Sequence, residues 1–116
     1  MKRKLLPILV LALASSAAAQ SNNFYCSSER SSLLSEQSRL NLQTSNLNFT
    51  RSQLNSLASQ INLAQSNSYS SVSYVNSMID QYNFKLRSYQ SDLSFYNLAM
   101  DRLNYRINSY NSMCAN

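Results

Sequence analysis

The chain has 116 residues, a formal net charge of +5 and 44% hydrophobic residues, which suits one small domain. It contains no histidine and no glycine, and its one proline is Pro7. Histidine is the side chain most often used as a general base and as a zinc ligand, and glycine supplies the positive φ of tight β-turns, so this composition argues against an enzyme, a zinc site and a β-sandwich or barrel.

Residues 1–19 have the three parts of a secretory signal peptide. Residues 2–4 are basic, residues 5–14 are mainly apolar, and small residues precede Gln20, so we expect cleavage between Ala19 and Gln20. The apolar run is roughly half of the ~20 residues that a transmembrane helix needs. The sequence therefore predicts an exported protein, periplasmic or extracellular, with no transmembrane anchor.

Export changes the meaning of the charge and of the cysteines. Three of the ten basic residues lie in residues 2–4, so the mature chain is much less basic and nucleic-acid binding loses its main support. The only two cysteines, Cys26 and Cys114, reach a compartment where disulfides persist. Two cysteines without histidine do not make a zinc set, and we expect no metal and no cofactor.

From Leu40 to the end of the chain the sequence divides into sevens without insertion, which indicates a coiled coil. With Leu40 at position d, the part of the chain before residue 66 is apolar mainly at d, whereas the part after it is apolar at both a and d. Short stretches such as residues 82–86 alternate with period two, as a strand would. A seven-residue repeat reverses strand parity at every unit, so helix explains the whole pattern better.

The asymmetry between the two halves predicts an antiparallel helical hairpin that folds near residue 70, where serine and asparagine dominate. Paired residues then have numbers that sum to 140, and the matched layers are apolar throughout. The predicted core consists of Leu33, Leu40, Leu47, Leu54, Ile61, Ile79, Leu86, Leu93, Met100 and Ile107. The next layer is Cys26 with Cys114, so we predict a disulfide between them.

The predicted segments are an N-terminal extension at 20–26, a first helix at 27–66, a turn at 67–71, a second helix at 72–113 and a tail at 114–116. An antiparallel covalent dimer of unbroken helices would satisfy the same sum, and the serine-rich segment favours the hairpin. Asn67 could supply positive φ in the turn, and Ser70 or Ser71 could cap the second helix. Glu36 and Arg106 are the expected ion pair beside the seam.

A second series of layers places tyrosines at d of the second helix, such as Tyr89 and Tyr96, against small or amphipathic residues such as Thr44 and Arg51. The e positions are nearly all asparagine or glutamine, and they form either a solvated flank or a seam between molecules. The f positions should face water, yet they hold apolar side chains: Leu42, Phe49, Leu63, Phe84, Leu98 and Tyr105.

Recurrent exposed apolar residues usually mark an interface. We therefore expect the hairpins to associate laterally with copies of themselves, as a structural protein that builds a filament or another homo-oligomer. The alternative is an envelope module that binds other proteins, such as a periplasmic holdase chaperone or an inhibitor, through the same f positions.

Overall fold

The structure, a computed structural model, describes residues 24–114, and the predicted signal peptide lies outside the described residues. Helix α1 spans Phe24–Ser66 and helix α2 spans Val72–Cys114. The two helices pack against each other within one chain as an antiparallel hairpin, closed by a disulfide between Cys26 and Cys114. The predicted all-α hairpin and its disulfide are confirmed.

The outer ends of the helices extend to the cysteines. Helix α1 begins at Phe24, three residues before the predicted start at residue 27. Helix α2 ends at Cys114, one residue after the predicted end at residue 113. The Cα atoms of Cys26 and Cys114 lie 5.7 Å apart, and both side chains are buried. Cys26 lies at heptad position d and Cys114 at position a, so the disulfide forms the next layer of the seam between the helices.

Residues 67–71 join the helices without any left-handed residue, since no residue between 24 and 114 has positive φ. Asn67 does not visit positive φ; instead its carbonyl accepts a hydrogen bond from the Ser70 amide at 3.1 Å, and its side-chain oxygen accepts one from the Tyr69 amide at 2.9 Å. The Ser71 hydroxyl accepts a hydrogen bond from the Tyr74 amide at 3.1 Å, so Ser71 is the N-cap of α2. The side-chain oxygens of Asn67 and Ser71 thus stabilise a turn that contains no glycine.

The described residues fall into two compact units, each a pair of antiparallel helical segments. One, which we name the turn unit, is Ser45–Ser94. The other, the disulfide unit, consists of residues 24–44 of α1 and residues 95–114 of α2. Each unit has buried side chains of its own, and they are described separately below.

The predicted core positions differ in burial between the two helices. The predicted positions of α1 are buried, namely Leu33, Leu40, Leu47, Leu54 and Ile61, and Ile107 is buried on α2. In contrast, Ile79, Leu86, Leu93 and Met100 of α2 are partly exposed. The side chains buried on α2 besides Ile107 and Cys114 are Met78, Tyr89, Tyr96, Leu103 and Tyr110.

The reason for this division is the size of the tyrosine ring. A seam between only two helices has solvent on both sides, so the side chain that reaches furthest across it is covered best. Tyr89, Tyr96 and Tyr110 at d reach across and bury their rings, whereas Ile79, Leu86, Leu93 and Met100 at a keep one edge in water. Along this part of α2 the tyrosines at d are therefore buried more deeply than the aliphatic side chains at a.

Candidate functional site

The disulfide unit contains a buried polar contact. The Thr44 hydroxyl donates a hydrogen bond to the Tyr96 hydroxyl at 2.9 Å, and both residues are buried. A buried hydroxyl is costly unless it is bonded, and each group here satisfies the other. The contact requires these two residues to face each other, so it fixes the register of the helices as well as their separation.

The ion pair predicted in this unit has a different partner. Arg106 donates to the Glu29 carboxylate from Nη2 at 3.0 Å and from Nε at 3.1 Å, and it also donates to the Ser32 hydroxyl at 3.0 Å. Glu36, the predicted partner of Arg106, pairs with Arg39 of its own helix. Glu36 and Arg39 are three residues apart on one helical face and meet without bridging the seam, which leaves Arg106 to Glu29.

The pairing with Glu36 has an electrostatic effect on Arg39. The carboxylate accepts hydrogen bonds from the guanidinium and lies beside its positive charge, and both effects raise the pKa of Arg39.

An open cleft of about 260 Å³ lies beside this pair. It is lined by Glu36, Arg39, Ala99, Arg102, Leu103 and Arg106. Arg39 and Arg106, which both line this cleft, are each ion-paired with a glutamate, Arg39 with Glu36 and Arg106 with Glu29.

The turn unit buries a charged residue. Arg51 is 4% exposed, and Tyr89, its partner in the predicted layer, is 3% exposed. On the flank, Lys85 donates a hydrogen bond to the Gln53 side chain at 3.0 Å and so links α1 to α2. An open cleft of about 350 Å³ adjoins this link and is lined by Thr50, Gln81, Phe84, Lys85, Ser88 and Asp92.

The side chains at position f face solvent in both units. In the turn unit these are Phe49, Leu63 and Phe84, and in the disulfide unit they are Leu42, Leu98 and Tyr105; their exposure runs from 51% for Leu98 to 76% for Tyr105. Phe95, which lies at position c, is also exposed. These residues, which we call the outer apolar residues, take no part in the buried core, so the structure leaves them available for contact with another molecule.

The amides at position e lie beside this apolar surface. Asn55 and Asn62 of α1 and Asn83 of α2 are exposed in the turn unit, as are Asn97 and Asn104 in the disulfide unit. An amide both donates and accepts hydrogen bonds. These positions therefore offer polar groups that suit either water or the amides of a neighbouring molecule.

Within residues 24–114 no three or more cysteine, aspartate and glutamate side chains come together as a set that could hold a metal ion. Over the same residues, neither helix has a stretch with the length and hydropathy needed to cross a bilayer.

Comparison of the chain with protein-family models, with curated protein sequences and with solved structures finds no match.

Proposed function

We propose that this chain is an exported structural protein whose hairpins self-assemble into a filament or another homo-oligomer. The observation that carries the proposal is the exposure of large apolar side chains at one repeated heptad position in each unit. Burying a large apolar side chain stabilises a protein by about 1.5–3 kcal/mol. Phe49, Leu63 and Phe84 can realise that gain only by contact with another molecule.

The pattern distinguishes these residues from ordinary surface scatter. Single exposed apolar residues are common and need no explanation. Here they recur at position f in a chain that has buried the rings of Tyr89, Tyr96 and Tyr110 at position d. The hairpin thus separates one set of large side chains for its own seam from another set on its outer surface, as expected of a subunit with an interface.

Export is the second part of the proposal. It rests on the signal-peptide pattern of residues 1–19 and on the Cys26–Cys114 disulfide, which is compatible with an oxidising compartment. We expect the exported protein to begin at Gln20 and to be periplasmic or extracellular. N-terminal sequencing of the exported form tests this expectation, and an intact Met1 on that form would contradict it.

We propose a role without catalysis or cofactor. The support is the sequence itself, which has no histidine to act as a general base or to bind a metal. Serine is abundant, but a serine hydroxyl needs an adjacent base to become a nucleophile.

Electron microscopy and sedimentation of the oxidised protein test the assembly. We expect species much larger than one chain, and we expect Phe49→Ser combined with Phe84→Ser to abolish association with helicity unchanged by circular dichroism. Tyr69→Ser is the matched control, because Tyr69 is an aromatic side chain that is 95% exposed but lies in the turn. A wild-type protein that stays monomeric at all concentrations would reject self-assembly and favour the alternative, a module that binds other envelope proteins.

A further inference from the structure

The outward surface of α1 in the turn unit carries no exposed charge. Between Ser45 and Ser66 the only charged residue is Arg51, and it is 4% exposed. The exposed residues of this stretch are serine, asparagine and glutamine together with Phe49 and Leu63. In the same unit α2 exposes Asp80, Arg87 and Asp92.

This difference decides which partner each helix suits. Covering the outward surface of α2 removes Asp80 and Arg87 from water, which is costly unless each charge finds a partner. Covering the outward surface of α1 removes amides, hydroxyls and two apolar side chains. Amides and hydroxyls both donate and accept, so such a surface can satisfy a copy of itself at many positions, whereas Asp80 and Arg87 are satisfied only where a group of opposite charge meets each of them.

The positions of the two apolar side chains add a geometric constraint. Phe49 lies seven residues before Ser56 and Leu63 lies seven residues after it, all three at heptad position f. Ser56 is exposed and stands near the middle of the uncharged stretch. In a two-fold antiparallel pair of α1 helices centred at Ser56, Phe49 of one copy meets Leu63 of the other, and the contact occurs twice.

We propose that the assembly includes an isologous contact between two copies of this chain, in which the α1 helices of two turn units pack antiparallel about a two-fold axis near Ser56. The inference rests on the proposed self-assembly and specifies one of its interfaces. Because the surface is uncharged, the contact is insensitive to screening by salt.

Charge placed at the axis tests this geometry. In Ser56→Glu two like charges face each other across the axis, and we expect the concentration for half-association to rise about tenfold or more. Ser91→Glu is the matched control, since Ser91 is an exposed serine at position f of α2 in the same unit. We expect Ser91→Glu to stay within about threefold of wild type, and circular dichroism should show both variants as helical as wild type.

A mixture of two oppositely charged variants gives the decisive test. Ser56→Lys should associate as poorly as Ser56→Glu, and an equimolar mixture of the two should associate within about threefold of wild type, because opposite charges then meet at the axis. Sedimentation of the full oxidised chain measures association in each of these experiments. Raising NaCl from about 50 to 500 mM should leave wild-type association unchanged within about threefold.

The outcomes separate the two proposals. A wild-type chain that is monomeric at all concentrations overturns the proposed self-assembly and this contact with it. A wild-type chain that associates while Ser56→Glu behaves like Ser91→Glu, or while the mixture gives no rescue, overturns only the α1 contact. Loss of association in high salt would likewise assign the interface to charged surfaces and overturn it.

Discussion

Thr44 and Tyr96 face each other across the seam, joined by a 2.9 Å hydrogen bond between their hydroxyls. Their residue numbers sum to 140, as do those of Cys26 and Cys114, which the disulfide joins in the same unit. A hydrogen bond and a covalent bond thus report one register. The pairing rule obtained from heptads and from the turn therefore holds at two independent contacts of the disulfide unit.

Removing either partner of the Thr44–Tyr96 contact should destabilise the hairpin. Thr44→Val leaves the buried Tyr96 hydroxyl without this bond, and Tyr96→Phe does the same to the Thr44 hydroxyl. Either substitution should lower the free energy of unfolding by about 1–3 kcal/mol. Urea denaturation of the oxidised protein measures it. Tyr105→Phe, at an exposed tyrosine, should stay within about 0.5 kcal/mol of wild type, and an equal loss there would contradict the special role of Tyr96.

Opening the disulfide should cost a large part of the stability. The bonded cysteines are 88 residues apart in sequence, and closing a loop of that length is worth about 4–5 kcal/mol in the chain-entropy model. Cys26→Ser with Cys114→Ser should therefore lower the free energy of unfolding by that order. On non-reducing electrophoresis the wild-type chain should run as a compact monomer that slows on reduction, and a covalent dimer would be the opposing result.

Leu47 and Leu93 form one predicted layer of the turn unit, but Leu47 is 5% exposed and Leu93 is only half-buried. We expect Leu47→Ala to cost about 2–5 kcal/mol, the range for buried leucines, and Leu93→Ala to cost clearly less. Asn55→Ala, at an exposed amide position, should be nearly neutral. Thermal and urea unfolding followed by circular dichroism ranks the three variants, and equal costs for both leucines would contradict the tyrosine-centred seam.

The partner of Arg106 can be identified by double-mutant cycles. Arg106→Leu combined with Glu29→Gln should show a coupling of about 0.2–1 kcal/mol, as partly exposed pairs do, since these side chains bond directly. The same cycle with Glu36→Gln should show almost none, because Glu36 pairs with Arg39. The coupling to Glu29 should also shrink in high salt, and a stronger coupling to Glu36 would reverse the assignment.

The cap of α2 gives a further measurable effect. Ser71→Ala removes the acceptor of the Tyr74 amide and should cost about 1 kcal/mol, typical of a serine N-cap. Ser70→Ala is the matched control, since Ser70 contributes its backbone amide to the turn, and it should cost less. Equal losses would show that capping is not what begins α2.

The sequence predicts the helices, their direction and the disulfide because these depend on period and spacing, which are written in the order of residues. The depth of burial is different. Period alone ranks Leu93 and Leu47 together, whereas burial depends on how far a tyrosine ring reaches across a seam of two helices. The choice of Arg106 between Glu29 and Glu36 also lies beyond spacing, because Arg39 competes for Glu36 from the same helix. The outer apolar residues were identifiable at position f, but what covers them depends on other molecules.

The turn and the disulfide together have a topological consequence. The backbone from residue 26 to residue 114 and the sulfur bridge make one closed covalent ring, in which Tyr69 is the most exposed large hydrophobic side chain. A protease that cuts at Tyr69 opens this ring without releasing a fragment. The two helices then remain one covalently linked molecule. A cut in the turn is therefore the least costly break of the backbone, because the disulfide still holds the two helices together.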